Sequence, residues 1–168
     1  MRTVLRALAL AACVVLSFHT VHAQPPAGDD AGVRRWLEAF TKAFEARDVN
    51  ATMALYSPDV VAYDVVPPLQ YIGGDAYRKD WETFYSGFKG PLQVEYHDMH
   101  ILTSGDLAVL EVVEKVSGTQ ASNGQPMSMW VRATTALRKV NGRWLDVHDH
   151  VSVPVDMDSG KALMDLKP

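Results

Sequence analysis

The chain has 168 residues, of which 48% are hydrophobic and 21% charged, with a formal net charge of −4. That length suits one domain with a single core, and an acidic chain with no basic cluster longer than Arg34-Arg35 argues against nucleic acid as a partner. A single cysteine, Cys13, allows no disulfide within the chain, so stability must come from packing.

Arg2 and Arg6 precede an apolar run over residues 7–18, and Val21-His22-Ala23 follows before Gln24-Pro25-Pro26. A charged start, a short apolar middle and small residues at the cut make residues 1–23 a cleavable signal peptide, too short in its apolar part to span a bilayer as a stable helix. Leu10-Ala11-Ala12-Cys13 looks like a lipobox, but the apolar run continues past the cysteine. An uncleaved anchor is the remaining alternative. The mature protein is expected to begin at Gln24, to be periplasmic or secreted, and to have no membrane contact after cleavage. A Pro-, Gly- and Asp-rich leader over residues 24–30 comes next.

From Ala31, the apolar positions Val33, Trp36, Leu37, Phe40 and Phe44 recur at helical spacing. Asn50 is a candidate N-cap for a second, shorter helix carrying Met53, Leu55 and Tyr56, which Pro58 stops. Residues 60–66 are β-branched and aromatic, a short strand. Gly73-Gly74 opens a third helix with Tyr77, Trp81, Phe84, Tyr85 and Phe88 on one side, ended by Gly90-Pro91. The period then changes to that of strands, expected over residues 92–102, 107–118, 127–140 and 143–153. Asn141-Gly142 suits the two positive φ values of a type I′ hairpin turn. Helices first and an antiparallel meander afterwards predict one α+β domain over residues 31–156, followed by a C-terminal tail over 157–168.

Several landmarks recur in a fixed order. They are Trp36-x3-Phe40-x3-Phe44-x3-Asp48, then Leu55-Tyr56-Ser57-Pro58-Asp59, then Gly73 ahead of the helix holding Trp81. Further on come Ser104-Gly105-Asp106-Leu107-Ala108, Arg132-x-Thr134, Asn141-Gly142-Arg143-Trp144 and His148-Asp149-His150-x-Ser152-x-Pro154. This series resembles the SnoaL-like branch of the nuclear-transport-factor-2-like superfamily, whose fold is shared with ketosteroid isomerase. The resemblance implies a cone-shaped fold, with three N-terminal helices packed on a curved, mostly antiparallel sheet. The superfamily holds isomerases, dehydratases, cyclases and plain binding modules, so the fold does not choose among them.

The resemblance also places the isomerase's general base on Asp64. A carboxylate at the mouth of an apolar cone is poorly solvated, and its pKa can rise enough to take a proton from carbon next to a carbonyl. The alternative for Asp64 is an acid that ends a strand. The isomerase's oxyanion-hole positions fall close to Phe40 and to Thr134 or Thr135, which cannot reproduce that pair of donors, so steroid isomerisation itself is not expected.

Two further candidates come from strand alternation. On the strand over 127–140, Ser128, Trp130, Arg132 and Thr134 share one face, and Met127, Met129, Val131, Ala133 and Thr135 share the other. Arg132 among such neighbours needs an acidic partner or an anionic ligand. On the last strand, Trp144, Asp146, His148, His150 and Ser152 share a face if the alternation is unbroken. His148 and His150 are candidate acid–base or pocket-lining groups, and their H-x-H spacing lacks an evident third metal ligand. Trp130, Tyr85 and Tyr63 are candidate ligand walls, whereas Trp81 fits a core position. The expected catalytic group is Asp64 with Arg132 and His150. A regular hairpin opposes Arg132 to Val151 and turns it away from His150, so the grouping requires a β-bulge within residues 147–151.

The expected function is thus an exported protein that binds a small, mostly apolar molecule, with acid–base activity of the isomerase, dehydratase or cyclase type. The alternative is a non-catalytic binding or dimeric assembly module. No cofactor and no metal are expected. A homodimer is, because strands apolar on both faces need a second cover.

Overall fold

The computed structural model describes residues 28–168. The signal segment, its cleavage point and most of the leader lie outside the described residues. Helix α1 (Asp30–Ala46) buries Val33, Trp36, Leu37 and Phe44 along one stripe. Asp29 caps its start, accepting from the Gly32 N–H at 2.9 Å. Arg47 ends it in the left-handed region at φ 55°, and its guanidinium donates to the Tyr85 and Phe88 carbonyls at 3.3 and 2.5 Å.

Helix α2 (Val49–Met53) is shorter than the sequence suggests, and its N-cap is Asp48 rather than Asn50. Tyr56 opens strand β1 (Tyr56–Tyr63) instead of closing a helix, so β1 starts and ends before the expected 60–66. Pro58 therefore lies inside a strand. It is tolerated because the ladder from β1 to the last strand is interrupted between Tyr56 and Val61. A two-residue strand that the sequence pattern did not reveal, β2 (Tyr71–Ile72), precedes α3 (Gly74–Ser86). Gly90-Pro91 does not end α3. Strand β3 (Phe88–Ser104) runs through both residues, and a register break between Lys89 and Gln93 accommodates the proline.

Strands β4 (Leu107–Gln120), β5 (Pro126–Val140) and β6 (Arg143–Ser152) complete an open, curved sheet of six strands in the order β2-β1-β6-β5-β4-β3. Only the β1–β6 pair is parallel. The three helices pack on one face of this sheet, and the domain is α+β. Two buried clusters hold the layers together. One gathers Phe44, Tyr56, Tyr77, Trp81 and Phe88, the other Val33, Trp36, Leu110, Leu137 and Trp144, and Phe40 packs against both. Each large side chain buried there contributes about 1.5–3 kcal/mol of transfer free energy.

The β5–β6 hairpin closes as its sequence requires. Asn141 and Gly142 have φ 51° and 79°, and Val140 pairs with Arg143. The ladder then shifts. Leu137 pairs with Asp146 but Ala136 pairs with His148, which leaves Val147 as the extra residue of a β-bulge. Beyond it, Thr134 opposes His150 and Arg132 opposes Ser152. The alternation on β6 is reversed from His148 onward.

Candidate functional site

Between the helices and the inner face of the sheet lies a cavity of about 420 Å³, within the range that holds a small organic molecule. Its walls are mostly apolar. Trp36, Phe40, Phe44, Trp81, Phe84 and Phe88 supply aromatic surface, and β5 contributes Met127, Met129, Val131, Ala133 and Thr135, the face opposite to the expected wall residue Trp130. Val65, Val66 and Met164 also line it. Met164 arrives because the chain after β6 folds back, with a bridge between Val155 and Ala162. The Trp130 N–H, beyond the end of β6, donates to the Met164 carbonyl at 2.7 Å. The C-terminal segment is therefore part of the site rather than a free tail.

Four acids reach this cavity: Asp64, Asp80, Glu114 and Asp149. Asp64 follows the last residue of β1. Its Oδ1 accepts from the Val65 N–H at 2.6 Å, and its Oδ2 accepts from the Tyr77 hydroxyl at 3.0 Å. Loss of hydration pushes its pKa up to about 6, opposed by the Val65 hydrogen bond and reinforced by Asp80. Tyr77, only 1% exposed, also lies 3.4 Å from Asp149 Oδ2. It has one proton for two acceptors, and the shorter contact assigns that proton to Asp64.

Asp149 is held by three elements at once. Tyr56 from β1 donates to its Oδ2 at 3.1 Å, Thr135 from β5 donates to its Oδ1 at 3.3 Å, and Tyr77 approaches from α3. Burial nevertheless raises its pKa. Asp146 is fully buried nearby, and neither of its carboxyl oxygens has a partner among the described residues. Burial, with Asp149 adding, holds it well above the usual carboxylate range. Glu114 faces the cavity from β4, and burial followed by the influence of Asp149 pushes it up to about 8. At neutral pH Asp64, at about 6, is mostly ionised, whereas Glu114, at about 8, is mostly protonated. Such a divergence of pKa values between neighbouring acids suits a base and proton donors working side by side.

The expected grouping of Asp64 with Arg132 and His150 does not form. The bulge at Val147 does bring Arg132 and His150 to one face, but that face is the outer one, and both side chains are exposed there. Asp64 lines the cavity on the other side of the sheet. His148 is also outside, where its Nδ1–H donates to the Val61 carbonyl at 2.8 Å. Tyr63 stands edge-on to both histidine rings, with centroids 4.8 and 5.6 Å apart. Trp130 stacks at 4.9 Å on His97, away from the cavity. Tyr85 is buried against Phe44 and Trp81, its hydroxyl 2.9 Å from Thr52, and it is core rather than wall. Trp81, by contrast, belongs both to the core and to the cavity wall.

The sequence reading missed Tyr56, Tyr77, Glu114 and Asp149. Asp149 was hidden because an unbroken alternation assigns it to the face opposite the two histidines' supposed pocket. Glu114 did carry a signal, since it interrupts the apolar inner series Leu110, Val112 and Val116 on β4. Tyr56 and Tyr77 lay within patterns that look like ordinary core. Among the described residues, no group of three or more His, Cys, Asp or Glu side chains is arranged to hold a metal ion, and no helix is long and apolar enough to cross a membrane.

Comparison with known proteins follows the same lines. The family model of the SnoaL-like domain matches residues 33–156. The crystal structure of an NTF2-like protein of unknown function from Pseudomonas putida KT2440 is 32% identical, covering 84% of this chain and 100% of its own, with a TM-score of 0.74. A candidate dehydratase of the NTF2-like family from Streptomyces avermitilis is similar in fold at 19% identity, covering 74% of this chain and 95% of its own, with a TM-score of 0.67. A ketosteroid isomerase-like protein from Erwinia carotovora atroseptica SCRI1043 is likewise similar at 21% identity, covering 73% of this chain and 93% of its own, with a TM-score of 0.63. No curated protein matches the sequence. The order of the elements, the match over residues 33–156 and the 32% identity with a solved relative together establish that the chain belongs to the SnoaL-like family, within the NTF2-like fold.

Proposed function

We propose that this is an exported SnoaL-like protein, released by cleavage after Ala23, that binds a small, mostly apolar molecule in its cavity and acts on it by acid–base chemistry. The carrying observation is the hydrogen-bonded series Asp64–Tyr77–Asp149 at the edge of an otherwise apolar cavity of about 420 Å³. Asp64 is the base. Its carboxylate removes a proton from carbon next to a carbonyl, the C–H electron pair becomes the new C=C bond, and the carbonyl pair moves onto oxygen. Returning the proton to another carbon isomerises the substrate; giving it instead to a β-hydroxyl, which leaves as water while the enolate pair re-forms the carbonyl and a C=C bond, dehydrates it. Tyr77 keeps Asp64 oriented through its hydrogen bond, and Asp149 lies 3.4 Å from the same hydroxyl. Phe40 and Thr135 both line the cavity, but phenylalanine has no donor and Thr135 gives its proton to Asp149. The enhancement expected is therefore that of a positioned base alone, about a hundred- to ten-thousandfold.

The test uses 2-tetralone, a flat apolar ketone with acidic α-hydrogens, in deuterated buffer. Proton NMR should show accelerated loss of the α-hydrogens with the native protein and none with Asp64→Asn. If 2-tetralone binds but its exchange is not accelerated, catalysis is ruled out for this site and the non-catalytic binding module takes its place.

A second reading concerns the outer face and supplements the first. Val109, Val113, Trp130 and Ala136 lie there only partly buried, flanked by Arg132, His148, His150 and Tyr63. We assign this face to a symmetric homodimer, whose partner would cover the half-buried apolar centre. Light scattering at micromolar concentration should give the mass of two chains. The mass of one chain would remove the dimer.

A further inference from the structure

We propose that the molecule held in the cavity is a hydrophobic amine, bound as its ammonium ion with Glu114 as the counter-ion. The inference rests on the cavity being the binding site, and two independent features lead to the charge of its occupant. The first is a one-sided set of ionisable groups. Asp64, Asp80, Glu114 and Asp149 reach the cavity and Asp146 lies buried close behind, while no lysine, arginine or histidine is found among the described residues that line it. Asp64, Asp80 and Asp149 each have hydrogen-bond donors from the protein. Glu114 has no hydrogen bond and no ion pair among the described residues, although its neighbours on the inner face of β4 are Val112 and Val116. A carboxyl group on an apolar wall is costly unless something completes its hydrogen bonds.

The second feature is the wall itself. Phe40, Phe44, Trp81, Phe84 and Phe88 surround the lumen with aromatic rings, whose faces attract a cation and whose surface accepts the apolar part of the same molecule. An anionic ligand would meet four acids and no cation among the described lining residues, and a neutral one would leave Glu114 without a counter-charge. Glu114 is also well placed to set the orientation. Leu110 on β4 opposes Thr135, which opposes Asp149. Glu114 stands four residues further along β4, about 13 Å at the rise of a strand. The ammonium end is thus held apart from the Asp64–Tyr77–Asp149 end, and the ligand spans the space between them.

The experiment compares three probes of one shape by calorimetry in mildly alkaline buffer: 2-(naphthalen-2-yl)ethylamine, 2-(naphthalen-2-yl)ethanol and naphthalen-2-ylacetate. The amine should bind about tenfold more tightly than the alcohol, the value of one charge-assisted hydrogen bond, and the carboxylate should not bind measurably. Glu114→Gln, which keeps the side-chain shape and removes the charge, should equalise amine and alcohol while leaving the alcohol's affinity within twofold. Equal binding of amine and alcohol to the native protein, or an amine preference that survives Glu114→Gln, would overturn the proposal and leave the cavity as a binding site. Failure of all three probes to bind at millimolar concentration would overturn both.

Discussion

The two faces of the β5–β6 hairpin carry opposite chemistry. On the inner face, Thr135 and Asp149 meet Tyr56 and Tyr77 in a sealed hydrogen-bond network. On the outer face, Thr134, Arg132 and His150 stand exposed, although they occupy the adjacent positions in sequence. The residues that look most chemical in a sequence, a histidine pair and an arginine, are on the side away from the Asp64 cavity. What decides between the faces is one extra residue, Val147, because a single-residue shift in a strand exchanges its two sides.

The harshest way to break this contrast is to exchange the two side chains, Asp149→His together with His150→Asp. The imidazole would then face Tyr56, Tyr77 and Thr135, and the carboxylate would stand outside. A loss of more than about 4 kcal/mol is expected, visible as insoluble protein or a collapsed Tm. A soluble exchange variant with native Tm would mean that the two faces do not differ.

Next in size is a paired substitution. Asp149→Ala strips Tyr56 and Thr135 of their acceptor and should cost about 3 kcal/mol in urea unfolding, whereas His150→Ala on the exposed side should change stability by no more than about 0.5 kcal/mol. Equal costs would erase the distinction between the two sides.

Much of this architecture was legible beforehand. The stripe of Val33, Trp36, Leu37, Phe40 and Phe44 defines α1, and Asn141-Gly142 defines the hairpin, because in both cases the local physics acts alone. A bulge within residues 147–151 was named beforehand as the condition for Arg132 and His150 to share a face, and the ladder does shift at Val147. Its consequence was not. A bulge placed there moves Arg132 and His150 together, yet only the helices' choice of face determines whether together means inside. Pro58 misled for a related reason. Locally it reads as a helix stop, but the tertiary ladder happens to be open at that point, so a strand passes through it. Asp64 is the exception among the site residues, since its place at the end of β1 followed from a gapless stretch of family resemblance.

The pH dependence of stability sharpens the same contrast. Asp64 and Glu114 have folded pKa values of about 6 and about 8, both above their ordinary values of 3.8 and 4.5. The folded chain therefore binds these protons more tightly than the unfolded chain. The stability they supply is complete below their ordinary values and is lost as pH rises through 6 and then 8. On the opposite side of the scale, Asp29 is held down to about 2, chiefly by Lys139 and then by Trp144, so its contribution is present above 3.8 and is lost as pH falls through about 2. Tm should be highest in mild acid and should drop toward alkaline pH by an amount worth on the order of 2 kcal/mol, with Glu114→Gln flattening the decline. A Tm that rises through that range would show that the inner acids are solvated after all.

A smaller effect isolates one hydrogen bond. Tyr77→Phe keeps the ring and removes the donor to Asp64, so the Asp64 pKa should rise by up to about 1 unit in a carbon-13 NMR titration of carboxyl groups. An unchanged Asp64 would show that the contact of 3.0 Å contributes nothing.

The most direct measurement uses two tryptophans as reporters of the two faces. Trp81 lines the cavity and its indole N–H has no acceptor among the described residues, while Trp130 stacks on His97 outside. Adding 2-tetralone to nitrogen-15-labelled protein should shift the Trp81 indole resonance and leave that of Trp130 in place. A shift confined to Trp130 would contradict a site on the inner face.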